Sequence, residues 1–271
     1  MFGMDIGFIA ALVALGAMGG FLAGLLGIGG GMVLVPFFTM LFSQHGFSNA
    51  HLVHLAIGTA GASIVFTSLS SVRAHHKKGA VLWPVVWRFA PGLLVGTQLG
   101  TLLAAQLKTP VLAGVFAFFV GFSALQMFLD RKPKPGRELP GSFGLFSVGG
   151  LIGILSSIVG AGGGFVSVPF MTWCNIKIHN AVATSAALGF PIALGMTIGY
   201  IWRGLGASDL PAGALGYVYV PALVCVVLAS VCTAPLGAST AHKLPVKSLK
   251  RAFAYVLFAL AGYMLYKAIS I

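Results

Sequence analysis

Gly27-Ile28-Gly29-Gly30-Gly31-Met32-Val33-Leu34-Val35-Pro36 interrupts a long apolar run, and Gly160-Ala161-Gly162-Gly163-Gly164-Phe165-Val166-Ser167-Val168-Pro169 repeats it in the second half of the chain. In each copy a proline follows the last of three consecutive glycines by five residues. Glycine inside a helix costs roughly 1 kcal/mol relative to alanine, so the triplet predicts that one helix stops and another starts. The restarted helix offers unbonded N–H groups and the positive end of its dipole, which together suit an anion. One such break in each half of a membrane chain is the pattern of a transporter site near the bilayer midplane. Close helix crossing is the competing reading of the same glycines.

Composition sets the class of the molecule. The chain is 58% hydrophobic and 7% charged, with a mean hydropathy of +0.99. No Asp, Glu, Lys or Arg occurs from Ile6 to Val72. Further uncharged runs cover Phe89–Leu107, Thr109–Leu129, Leu139–Ile176, Ile178–Trp202, Leu210–His242 and Ala252–Tyr266. One crossing takes about 20 mainly apolar residues, so the expectation is an all-α, polytopic membrane bundle. Asp5 and the lack of a basic stretch ahead of the first apolar run do not read as a cleaved leader. The net charge of +12 sits mostly between apolar runs, where it sets topology and meets anionic headgroups. Nucleic acid is not an expected partner. Cys174, Cys225 and Cys232 form no CxxC pair and read as small packing residues; Cys174, near the second break, is the one candidate thiol for a sulfur-containing cargo.

The chain is duplicated. A first membrane repeat spans 1–129, a basic cytoplasmic linker 130–140, and a second membrane repeat 141–271. Helices are expected over Ile6–Ile28, His51–Val72, Ala80–Leu107 and Val111–Leu129, with Met32–Phe42 too short to cross. The second copy shows Ser142–Val159, a short Phe165–Cys174 arm, Gly216–Ser239 and Phe253–Tyr266. His179-Asn-Ala-Val-Ala-Thr184 echoes His54-Leu-Ala-Ile-Gly-Thr59 at His, Ala and Thr, and Gly216–Ser239 with Pro221 is read as answering the helix that carries Pro91. Duplicated halves place a site on their interface.

Charge counting compares two topologies. If both glycine-broken segments cross fully, the Lys and Arg of loops and tails divide nine inside to six outside. If each dips in and returns, Lys177, Lys243, Lys247, Lys250 and Arg251 move inside while Arg203 and Lys267 move outside, and the split becomes twelve to three. The positive-inside rule favours the second arrangement, with six full spans, re-entrant hairpins and inverted halves. Against it, Ile6–Ile28 is long enough to span alone.

Ionisable residues inside a membrane are functional candidates. His54 and His179 hold matching positions and could contact cargo or carry a proton, or simply pack near helix ends. Arg88 could clamp an anion; beside Trp83 and Trp87 it also reads as an interfacial anchor. Thr59, Thr184 and Ser185 could donate to oxyanion oxygens or bond back to their own helices. The candidate substrate set is therefore Gly29, Gly30, Gly31, Met32, Gly162, Gly163, Gly164, Phe165, His54, Thr59, His179, Thr184, Ser185 and Arg88. Asp5, Asp130, Glu138 and Asp209 all lie at segment ends, so a carboxylate relay or cation site is not expected, and an anionic cargo is. No G-x-S-x-G, HExxH or aspartate pair suggests an enzyme, a metal or a cofactor.

The doubled G-x-G-G-G-x4-P, the HxAxxT elements and the closing G-Y-V-Y-V-P, A-P-L-G-A, H-K-L-P and L-K-R-A-F segments resemble the TauE/SafE family of sulfite-exporter-like permeases over nearly the whole chain. The resemblance implies a multi-pass inner-membrane secondary transporter that exports sulfite, organosulfonates or related small anions. Its expected partners are the anion, membrane lipid and, for proton-linked transport, protons, with a homo-oligomer left open. An anion channel, or an importer of a related oxyanion or carboxylate, shares the same features. Extra residues (Ser43 to Asn49) between the first break and His54 make the halves unequal.

Overall fold

A computed structural model describes residues 5–26, 30–129, 136–240 and 246–270. Within them the chain forms ten helices and one small hairpin. The first half contains α1 (Ile6–Leu26), α2 (Gly31–Gln44), α3 (Leu52–His76), α4 (Trp83–Gln106) and α5 (Thr109–Leu129). The second contains α6 (Ser142–Val159), α7 (Gly164–Trp173), α8 (Ile178–Gly204), β1 (Ala214–Leu215), β2 (Val218–Tyr219), α9 (Val220–Thr240) and α10 (Val246–Ser270). The all-α expectation holds, and the two short arms are α2 and α7. Both α4 and α9 begin on an X-Pro pair, Trp83-Pro84 and Val220-Pro221, where proline's missing N–H is no loss. Pro221 thus holds the place in α9 that Pro84 holds in α4, the helix that also carries Pro91.

Seven helices are long and apolar enough to cross a membrane: α1, α3, α5, α6, α8, α9 and the Arg251–Ser270 stretch of α10. The 24-residue α4 is long enough as well but carries Arg88, Gln98 and Gln106. Large apolar side chains such as Phe118, Leu228 and Ile269 are exposed. In a bilayer these side chains meet hydrocarbon rather than water. The buried polar groups among the described residues are hydroxyls plus His54 and His75, with no carboxylate, lysine or arginine.

Each half's broken segment is a hairpin. Leu34 of α2 packs at Gly19 of α1, and the Phe8 and His45 rings meet 3.9 Å apart, so α2 runs back toward the start of α1. In the second half Gly163 packs against Ile152 and Ser156 of α6, while Trp173 returns to Gly136 and Arg137, just ahead of α6. In the second half the short turn from Gly160 to Gly163 permits the reversal where a longer loop would bury unpaired backbone.

The long helices pair across the halves rather than within them. Gly16, Gly20 and Gly24 of α1 meet the backbone of Val226, Ser230 and Ala234 on α9 in ascending order, so these helices run the same way. Gly92, Gly96 and Gly100 of α4 meet Phe146, Gly150 and Ile154 of α6, again in parallel. A side chain at any of these glycines would collide with a backbone carbonyl, and small residues at four-residue spacing are what let membrane helices approach this closely. At the centre α3 and α8 cross antiparallel: Gly58 lies by Tyr200, Gly61 by Met196, and Ser68 by Gly189. The outer pair α5 and α10 is also antiparallel, Gly114 facing Ala268 and Gly121 facing Ala261.

Candidate anion site at the glycine breaks

The backbone at each break has the form that glycine alone adopts cheaply. Gly30, the residue before α2, has φ 69°, and Gly163, before α7, has φ 77°. Gly160 ends α6 with φ 65°. Val33 and Leu34 N–H both donate to the Gly30 carbonyl, and Val166 and Ser167 N–H both donate to that of Gly163. The N–H groups of Gly31 and Met32, and of Gly164 and Phe165, precede these first intrahelical bonds, as at any helix start.

The two breaks touch. A Cβ on Gly31 would collide with the Gly160 carbonyl oxygen, and one on Gly160 would lie 2.8 Å from Val35. A Cβ on Gly31 would also lie 3.0 Å from Ile64, near the middle of α3, and one on Gly189, near the middle of α8, would lie 3.7 Å from the Gly162 carbonyl oxygen. Gly30, Gly31, Met32, Gly162, Gly163 and Gly164 are buried, and Phe165 is half-buried. Gly29 lies outside the described residues. The breaks thus meet inside the protein at the level where α3 and α8 cross.

The remaining candidates divide. Ser185 is close to the second break: it accepts a hydrogen bond of 2.8 Å from Ser167 of α7. Thr59 and Thr184 hold matching structural positions instead. The Tyr219 N–H donates to Thr59 Oγ1 at 2.9 Å, and the Leu82 N–H donates to Thr184 Oγ1 at 3.0 Å. Tyr219 and Leu82 are the residues just before α9 and α4, so each threonine holds the start of a helix in the opposite half. Neither was expected to do so, because a hydroxyl's spacing along one helix carries no information about which distant N–H it meets.

His54 is buried, and its Nε2 donates to the Ala104 carbonyl at 3.0 Å. Its ring stacks near Tyr217, whose Oη lies 3.5 Å from His51 Nδ1. His179 is exposed at the start of α8. Because α3 and α8 are antiparallel, with His54 at the level of Arg203 by the register of Gly61 with Met196, the two histidines sit at opposite ends of the bundle, about 36 Å apart at 1.5 Å per residue. They do not share one site. Arg88 is exposed on α4 beside Trp87, 69% exposed, and points away from the breaks. Cys174 lies at the far end of α7, about 15 Å along the helix from Gly163. Burial pushes its thiol up, partly opposed by Arg137, which leaves little thiolate at neutral pH.

One residue near the breaks has no counterpart in the expected set. Ser156 of α6 is fully buried, its Oγ has no hydrogen-bond partner among the described residues, and a Cβ on Gly163 would lie 3.2 Å from it. Superposing the two G-x-G-G-G copies aligns Ser156 with Ala23; that difference was visible in the sequence, without any sign that it mattered.

Comparison with known proteins agrees with this architecture. The family described as sulfite exporter TauE/SafE matches residues 12–264. A "Probable membrane transporter protein" of Haemophilus influenzae is 37% identical over 262 residues, covering 96% of this chain and 99% of that protein. The "Probable membrane transporter protein YdhB" of Bacillus subtilis is 28% identical, covering 91% and 95%. A similarly named protein of Methanocaldococcus jannaschii is 25% identical, covering 94% of each. No solved structure matches the chain. The duplicated glycine hairpins, the apolar helices and these relatives lead to one conclusion: the chain belongs to the TauE/SafE family and is a multi-pass membrane transporter, not an enzyme.

Proposed function

We propose that the protein is a secondary transporter that carries small sulfur-containing anions, sulfite or organosulfonates, outward across the inner membrane, holding them where α2 and α7 begin. The observation that carries this reading is the contact of Gly31 with Gly160 in mid-bundle. The start of α2 meets the end of α6 there, with the start of α7 three residues further along the chain, and each helix start has N–H groups that it cannot use internally. The described interior holds hydroxyls and no carboxylate, which suits a negative cargo.

The two halves, 1–129 and 141–271, act as inverted repeats in this reading. The contact registers support it: α1, α3 and α9 run one way and α4, α6 and α8 the other, so each first-half helix opposes its second-half counterpart. Following the hairpins along the chain gathers Arg73, Lys77, Lys78, Arg137, Lys177 and Arg251 on one side. Lys108, Arg203 and Lys267 fall on the other, and the crowded side is then cytoplasmic. Rocking of one half against the other exposes the site alternately.

The test is flux in proteoliposomes. Sulfite uptake is expected to saturate and to show counterflow, whereas flux that rises linearly without counterflow indicates a channel. Gly30→Val and Gly163→Val place β-branched residues at φ near +70°, a conformation costing roughly 1–2 kcal/mol even before packing. Both variants are expected to insert normally and lose transport; normal flux in them refutes the site.

A further inference from the structure

The two breaks are alike in backbone but not in what surrounds them. Aligning the copies on their glycines pairs Ser156 with Ala23 and Ser167 with Leu34; aligning α8 on α3 through His179 and His54 pairs Ser185 with Ala60 and Gly189 with Ile64. Around the first break the side-chain contacts are apolar, and the backbone contacts are the Gly19 and Gly160 carbonyls. Leu34 packs against Gly19, Ile64 closes on Gly31, and Ala23 lies 3.4 Å from where a Gly30 side chain would begin. Around the second, hydroxyls stand where the first half has Ala23, Leu34 and Ala60, and Ile192 and Ile152 also border Gly163. Ser156 Oγ aims at Gly163, the residue before α7, and Ser167 donates to Ser185 at 2.8 Å. Where Ile64 fills space against Gly31, its counterpart Gly189 has no side chain, and a methyl added there meets Ser68 and the Gly162 oxygen only at 3.6–3.7 Å.

We propose that the anion is held asymmetrically, at the start of α7, with the Ser156 hydroxyl as a direct ligand and Gly189 as the residue that leaves room for it, while the α2 break packs against it as an apolar wall. The inference rests on the reading of the breaks as the transport site and specifies which of them binds. A buried hydroxyl without a partner loses its hydrogen bonds to water on folding, a loss that an incoming acceptor restores. A small oxyanion supplies that acceptor: it takes the Ser156 O–H, and the Gly164 and Phe165 N–H groups at the head of α7 complete the shell. The first break has N–H groups too, yet Ala23, Leu34 and Ile64 give an anion no side-chain donor.

Sulfite uptake into proteoliposomes, measured with thermal stabilisation of the purified protein by sulfite, tests this. Ser156→Ala is expected to raise the half-saturating sulfite concentration by about tenfold or more, the size of one hydrogen bond to a charged group. Gly189→Ala adds one methyl at ordinary contact distance to a helix that tolerates alanine well. It is expected to keep the thermal midpoint without ligand and to weaken sulfite by a similar factor. Ala23→Ser, the mirror change at the first break, is expected to leave sulfite affinity unchanged. Wild-type affinity in both Ser156→Ala and Gly189→Ala overturns the proposal, as does an Ala23→Ser effect equal to theirs. If Ser156→Ala does not fold, Gly189→Ala decides alone. A wild-type protein that neither moves sulfite nor is stabilised by it fails the transport-site reading itself, and this proposal with it.

Discussion

Thr59 and Thr184 show how a single residue can take on a role that its own helix does not reveal. Both were singled out by the HxAxxT repeat, and both hydroxyls accept a backbone N–H from the opposite half, at Tyr219 and Leu82. Each bond ties the first turn of a long helix to the crossing pair α3 and α8. Thr59→Val or Thr184→Val leaves a buried N–H without an acceptor, which costs about 1–3 kcal/mol. Thermal unfolding in detergent is expected to fall for either valine variant and to recover largely in the serine variants. An undiminished midpoint in both valine variants means that these bonds do not hold the fold. His54 and His179, matched in sequence, part company for the opposite reason: one is buried against Ala104 and the other is exposed at the far end of the bundle.

At the level of elements, the glycine content of the chain divides by function. The breaks need glycine for φ, while α1, α4 and α6 need it for proximity. Gly20 on α1 would meet Ser230 and Thr233 of α9, and Gly96 on α4 would meet Gly150 of α6. Leucine at either position pushes two helices apart and is expected to destabilise by about 1–3 kcal/mol or more, the range for overpacked interiors. Gly262 on α10 has nothing within 4 Å of an added Cβ, so Gly262→Ala is expected to be neutral or slightly stabilising. Comparing the three variants by thermal unfolding in detergent separates packing from loss of backbone freedom. The small-residue composition of the first helix was legible in the sequence as a close-approach face. Its partner was not, because spacing identifies a face and says nothing of which helix covers it.

The whole molecule is interlocked rather than divided. α1 of the first half lies on α9 of the second, and α4 lies on α6, so each half leaves its closest-packed faces to the other. The linker at 130–140 looks like a domain boundary in sequence, yet by this packing neither half encloses its own glycine faces. Fragments 1–129 and 141–271 expressed separately are expected to be degraded or aggregate, and co-expressed to reassemble and recover sulfite uptake. Stable, monodisperse fragments on their own refute the interlocked arrangement. The same exchange brings Gly31 to Gly160, since two hairpins that each dip to mid-bundle meet only if their halves interpenetrate.

What the sequence determined by itself is the class of molecule and the two glycine interruptions with their repeated motif, because hydropathy and glycine chemistry are local properties that need no partner to be read. The pairing of α1 with α9 and α4 with α6, the cross-half threonine bonds, the separation of the histidines and the unpartnered Ser156 were decided only by tertiary structure. Each depends on which distant surface a residue meets, and in a bundle whose helices are nearly all apolar the pattern along one helix does not select among its possible neighbours.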